Sequence, residues 1–286
     1  MAAALLAVVA ATAFALGSVL QQKGTLEVPA TEAHQHFLAQ ILRRPVWLAG
    51  GGFQFAGWVL QAIALDKGSL VVVQSLTSLS LVIALPLGAR LTNQVLTLRV
   101  WAGAAFMLLG IVAFLSLGTP KKGTAMPPAA AWWSATAVTV ISVLTLSLLG
   151  RQRNGATKAL LYGSAAGICF ALQASVTKVF VPLVGKGLST ILSSWTIYAL
   201  MVSAVVGFVL QQSALRTAVL APAMASSNAV TLFASVVFGV TVFGETLASN
   251  GDRLGPALFG LFLALVGVVL LAGSKPPVAT QPMPFG

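Results

Sequence analysis

"VLQAIAL" spans Val59–Leu65 and "VLQQSAL" spans Val209–Leu215; five of the seven residues agree at a separation of 150, and both copies carry a glutamine inside an apolar stretch. What the second copy means depends on how often the chain crosses a membrane between them. The composition makes a membrane the right solvent to consider. Of 286 residues 58% are hydrophobic and 7% charged, and the mean hydropathy is +0.95, so a water-facing surface could not be covered with polar groups.

A charge at the bilayer centre costs about 2.5–3.5 kcal/mol on insertion scales, so long charge-free runs mark candidate spans. A hydrocarbon core of about 30 Å requires about 20 helical residues. The runs that qualify are 1–22, 45–65, 68–89, 100–120, 123–150, 159–177, 187–215, 217–244 and 254–274, which predicts nine transmembrane helices. The runs are continuously apolar, which argues for helices over the alternating strands of a barrel. The first run has no Lys or Arg ahead of it and is read as a span, not a cleaved signal peptide. Pro45 and Pro256 suit helix first turns, and Trp47, Trp101, Trp132 and Trp133 suit an interfacial belt. The proline-rich tail, 275–286, is expected to be disordered.

Between the helix carrying the first copy and the helix carrying the second lie five crossings, and an odd number means that the copies point in opposite directions. Other marks recur in the same order: "FAL" at 14–16 and 170–172, "GARL" at 88–91 against "GETL" at 244–247, and Gly103 with Gly110 against Gly260 with Gly267. The chain therefore reads as an all-α polytopic membrane protein built as a 4+1+4 inverted repeat. The first repeat is 1–120, the linking helix 123–150, and the second, inverted repeat 158–274. Ten of the 16 basic residues fall on the side reached after helix 1, which predicts an outside N-terminus and a cytoplasmic C-terminus.

Inverted repeats are the architecture of secondary transporters, whose halves exchange conformations about a midplane site. The net charge of +11 is scattered singly between apolar runs, with no basic stripe for nucleic acid. Cys169 is the single cysteine, so disulfides within the chain and cysteine-based zinc sites are excluded. There is no H-E-x-x-H, no paired intramembrane aspartate and no membrane-embedded histidine, so an enzyme is not expected. No cofactor is predicted.

The pattern carried by Ala64, Leu65, Ala214, Leu215, Gly244, Glu245, Thr246, Leu247, Gly260 and Gly267 resembles the EamA-type units of the drug/metabolite transporter superfamily. Nine helices with an outside N-terminus are similar to its NIPA-type magnesium transporter branch. The first half departs from the superfamily element, having Gly88, Ala89, Arg90 and Leu91 where an acid is usual, so only Glu245 stands of a symmetric pair. The resemblance implies a multi-pass protein of the plasma (inner) membrane, from a bacterium, surrounded by membrane lipids and moving a small solute or metabolite. The alternatives are a divalent-cation (Mg²⁺) pathway and, from another class, a non-transporting accessory component of envelope assembly.

Polar residues near mid-span are the candidate substrate contacts: Gln54, Gln74, Thr77, Ser78, Gln173, Tyr198, Ser227, Asn228 and Thr231. At the offset of 150, Thr77 maps to Ser227 and Ser78 to Asn228. In lipid such groups must face a partner or a cavity, and interhelical hydrogen bonding is the competing role. Gln61 and Gln211, each about a turn from a membrane face, suit gates. Pro86 and Pro222 inside spans provide a kink, or carbonyls freed for a cation. Lys178 is expected to snorkel to an interface. Asp66, Glu245 and Asp252 are expected in outer loops, where they attract cations. His34 and His36 with Glu32 resemble a metal site weakly; Phe37, Leu38, Ile41 and Leu42 beside them suit an amphipathic segment on the inner leaflet.

Overall fold

A computed structural model describes residues 1–26, 43–92, 97–215, 220–247 and 253–272. The histidine segment, Asp252 and the proline-rich tail lie outside these residues. Among the described residues eleven helices follow one another: α1 (Ala2–Leu26), α2 (Pro45–Lys67), α3 (Leu70–Thr77), α4 (Ser80–Thr92), α5 (Leu98–Gly118), α6 (Ala129–Arg151), α7 (Gly155–Val184), α8 (Leu188–Ser193), α9 (Trp195–Leu215), α10 (Leu220–Thr241) and α11 (Leu254–Ala272). Among the described residues the only other pairing is one antiparallel bridge, Lys121 with Thr246. Eight segments are long and apolar enough to cross a membrane, α3 and α4 together forming one of them, and Leu254–Leu270 is a shorter apolar ninth. The chain is an all-helical, multi-pass membrane protein.

Several expected boundaries move. The span predicted over 68–89 is one span, Leu70–Leu91, but its helix is interrupted where the chain tightens at Ser78 and Leu79: Leu79 N donates to Leu76 O at 3.1 Å and Leu81 N to Ser78 O at 3.2 Å. The span predicted to begin at 123 begins at Ala129, since Thr124 N is bonded to Phe243 O at 2.8 Å. Helix α7 runs through Lys178 to Val184, well past the predicted end at 177. Pro222 lies in the first turn of α10, where no intrahelical bond is lost; Pro86 does lie inside α4.

Without a hydrophobic drive between helices in lipid, small residues let backbones approach and gain packing. The paired glycines of α5 and α11 perform that role. A Cβ on Gly110 would stand 2.6 Å from Gly260 O, and one on Gly260 would stand 2.6 Å from Phe114 N, so α5 and α11 meet nearly backbone to backbone. The same device joins α7 to α10, where a Cβ on Gly167 would stand 2.5 Å from Ser227 O. Helix α1 packs on α2, and α7 packs on both α9 and α10. One apolar cluster gathers Ala64, Leu65, Leu70, Val73, Ala171, Ala174 and Phe180 from α2, α3 and α7; a second joins Val71 and Leu79 to Ile111, Ala225, Leu232 and Leu261.

Candidate functional site

The N-terminus of α3 is where the chain concentrates its charge. A helix start leaves its first amides without intrahelical acceptors. Here Ser69 is the N-cap, its Oγ accepting from Val72 N at 3.0 Å. The amides of Leu70 and Val71 donate to the carboxylate of Glu245, to Oε1 at 2.6 Å and to Oε2 at 2.9 Å. Glu245 follows the C-terminus of α10 through Gly244, whose φ of 62° places it in the left-handed region open to glycine. A carboxylate at a helix N-terminus is favoured by both the free amides and the helix dipole.

Lys178 of α7 completes the arrangement. Its Nζ donates to Glu245 Oε1, and it sits 4.5 Å from the centroid of the Phe243 ring. Lys178 is 4% exposed and Glu245 1%. Both expectations for these residues are therefore corrected: Lys178 does not snorkel, and Glu245 is not free in a loop to attract cations. Burial of one charge is tolerable because the other is beside it, with hydrogen bonds completing the carboxylate. Around the pair, Trp132 packs edge-on against Phe243 at 5.9 Å and against Trp195 at 5.0 Å. Trp132 is thus buried in the bundle, not in an interfacial belt. Lys121 N donates to Thr246 O at 3.0 Å, and exposed Lys122 donates to the carbonyl of Asp66 at 2.7 Å, closing the same end. Asp66 is itself exposed.

The predicted polar residues divide by what they touch. On α10 the positions 224, 228, 231 and 235 form one stripe at helical spacing, between the face on α7 and the face on α3. Asn228 Nδ2 donates to Met224 O at 2.8 Å, and Thr231 Oγ1 donates to Ser227 O at 2.7 Å and across to Gly167 O at 3.1 Å. Ser227 is buried against α7 beside Gly167. On α3, Thr77 Oγ1 donates to Gln74 O at 3.2 Å and Ser78 Oγ to Ser75 O at 2.7 Å, so both hydroxyls finish the last carbonyls before the break. Gln74, 4% exposed, leaves its Nε2 without a protein partner. The buried hydroxyls of Ser75 and Ser235 likewise have none. Buried unpartnered polar atoms are uncommon enough to require an explanation.

Other predicted contacts are used up elsewhere. Gln54 joins α2 to α1 by donating to Ser18 Oγ at 2.9 Å, which is the interhelical role. Gln173 is half-buried on α7. Tyr198 is not at mid-span: it lies in the first turn of α9, 58% exposed, its hydroxyl donating to Leu192 O at 2.9 Å. The depth was misjudged because the charge-free run 187–215 contains the separate short helix α8. Gln61 is half-buried near one end, and Gln211 donates from Nε2 to Met224 Sδ at 3.2 Å while its buried Oε1 is unpartnered. Sequence reasoning singled out Lys178 and Glu245 separately and missed their meeting. The available signal was that both fall on the same predicted side, in a chain with five acidic residues.

At the opposite end of α4 a groove of about 590 Å³ opens among α1, α4 and α5, lined by Thr12, Leu16, Pro86, Arg90, Val100 and Trp101 among others. It is almost wholly apolar and holds none of the predicted contacts. Among the described residues no group of three or more His, Cys, Asp or Glu side chains is placed to hold a metal ion.

Over 250 residues the chain is 31% identical to an uncharacterized protein of Corynebacterium glutamicum, with 85% of each chain covered. Over 283 residues it is 25% identical to the probable magnesium transporter NIPA9 of Arabidopsis thaliana, covering 94% of this chain and 81% of the plant protein. No protein-family model matches the chain, and no solved structure does.

Proposed function

We propose that this chain, which belongs to the family of the uncharacterized Corynebacterium glutamicum protein, is a secondary transporter of the bacterial plasma membrane that moves a small solute by alternating access. The observation that carries this reading is the break in the α3–α4 span at Ser78 and Leu79. The helix tightens there while Ser78 keeps right-handed helical backbone angles, and a tightened turn inside a helix often marks a functional hinge. The turn lies level with the α10 stripe: Val71 packs at Gly239, so Ser78, seven residues along a helix of opposite direction, stands near Thr231 at about 1.5 Å per residue. The unpartnered Gln74, Ser75 and Ser235 groups are then the polar positions a passing solute and its water would satisfy. The proposed path runs along α3 and α10 through Gln74, Thr77, Ser78, Asn228 and Thr231, with Ser227 beside it.

The inverted repeat and the nine-span count belong to this proposal. Support comes from corresponding pairs that pack alike: α1 with α2 as α7 with α9, and α1 with α3 and α4 as α7 with α10, while α5 and α11 face one another. The outside N-terminus rests on the basic-residue bias alone. A Mg²⁺ pathway is the second reading, favoured by the similarity to the plant protein. It requires the hydrated ion to be held by carbonyl, amide and hydroxyl oxygens, because Glu245 is already taken by Lys178 and two amides. A thermal-shift screen of the purified protein separates the two. Stabilisation by an organic solute that is lost in Asn228→Leu supports the first; stabilisation by Mg²⁺ alone supports the second.

A further inference from the structure

The two ends of the bundle are not packed alike. At the end carrying Asp66 and Glu245, α2 packs against α7, with Ala64 and Leu65 in the same apolar cluster as Ala171, Ala174 and Phe180. In the proposed repeat the counterpart of that contact is α9 against α1, and no comparable packing joins those helices. At that other end the first half is also loose, α4 barely touching α5 and leaving the apolar groove beside Arg90. Among the described residues, helix packing of this kind closes one end of the bundle and has no counterpart at the other.

What seals the closed end is chemically unusual. Glu245 is tied to α3 by two amides and, through its neighbours, to the segment after α5, whereas the close packing of α7 on α10 lies in the first half of α7, at Gly163 and Gly167. Lys178 comes from α7, the helix that closes on α2. A buried ion pair is a poor means of permanent adhesion, since apolar side chains of like volume usually hold as well or better. It is a good means of reversible closure. Lys178 stands six residues before the end of α7, about 9 Å at 1.5 Å per residue, so a modest swing of that end returns the ammonium to water. The carboxylate stays capped by the α3 amides. Neither separated group is then left dry.

We propose that Lys178 and Glu245 are the latch of the gate at this end: Lys178 docks on Glu245 when the end is shut, and leaves with α7 when it opens. This takes the gating role from Gln61 and Gln211 and rests on the transporter reading. The test is electron–electron distance measurement between spin labels on Lys67→Cys and Leu188→Cys, exposed positions on α2 and α8, in a Cys169→Ala background. The protein with Lys178 and Glu245 intact should give a predominantly short distance. Glu245→Gln, which leaves the Lys178 ammonium without a counter-ion in the shut state, should transfer population to a longer distance. Glu245→Asp, whose shorter side chain cannot span the amides and the ammonium together, should do so in part, and Lys178→Arg should not. Unchanged distributions in both Glu245→Gln and Glu245→Asp would overturn the latch; should the former fail to fold, Glu245→Asp decides alone. The distances report on this end whether or not solute moves. A shift without flux would leave the latch standing and sink the transporter reading, and flux with no shift would do the reverse.

Discussion

Lys178 and Glu245 stand 67 residues apart in the chain and meet as a buried ion pair at the first turn of α3, where Glu245 also takes the amides of Leu70 and Val71. A pair of this kind penalises the loss of one member more than the loss of both. Glu245→Gln leaves the ammonium buried without a counter-ion, which should cost about 3–5 kcal/mol. Lys178→Met combined with Glu245→Gln should recover most of that loss. Melting temperatures of the detergent-purified variants check it, and equal loss in the single and double variants would show that the charges are not coupled.

The glycine contact between α5 and α11 gives a second expectation. Gly260→Val places carbon against the Phe114 amide, 2.6 Å from where a Cβ would stand, and overpacking of this sort costs about 1–3 kcal/mol. Gly255→Ala, on the same helix with nothing within 4 Å of the added carbon, should leave the melting temperature unchanged or slightly raised. A common response would mean that helix propensity, not contact, governs these positions.

Orientation is tested by labelling. Gly123 is a poor site for a cysteine because its Cβ would collide with Phe243 O, so Met126→Cys is used, at a position 75% exposed in the same loop. In intact cells, with Cys169 replaced, Met126→Cys should react with an impermeant thiol reagent and Asn154→Cys should not. The opposite pattern places the N-terminus inside and leaves the fold untouched.

The helical course of the chain was legible because charge is so costly in lipid that the 16 basic and five acidic residues punctuate it. The same rule misplaced the end of α7, where Lys178 is admitted to the interior by a partner distant in sequence. The α3–α4 break was illegible for a related reason. "LTSLS" at 76–80 contains no proline or glycine, and the turn is closed by the Thr77 and Ser78 hydroxyls, whose short-range bonds compete with the helix. Of the proposed contacts, Asn228 and Thr231 share a stripe, whereas Tyr198 was lost to a boundary error and Gln54 to an interhelical bond.

Asn228 separates the path from packing. Its amide bonds its own helix, at Met224 O, so Asn228→Leu, which breaks no bond between helices, should leave the melting temperature nearly unchanged while abolishing flux, because it turns an apolar side chain into the stripe. Ser78→Leu should act in the same way at the break. Thermal melts and uptake assays on the same preparations give both readouts. Full flux from both variants would mean that solute passes elsewhere.

The central claim is that this chain by itself carries a solute across a membrane. Proteoliposomes containing only this protein, incubated with a mixture of small metabolites and Mg²⁺ and then analysed for their contents by mass spectrometry and a magnesium indicator, test it most directly. The account predicts that at least one organic solute accumulates above the level in Asn228→Leu proteoliposomes. Accumulation of Mg²⁺ alone would replace the leading reading with the cation pathway. Contents identical to those of the variant, for every solute and for Mg²⁺, would contradict the account.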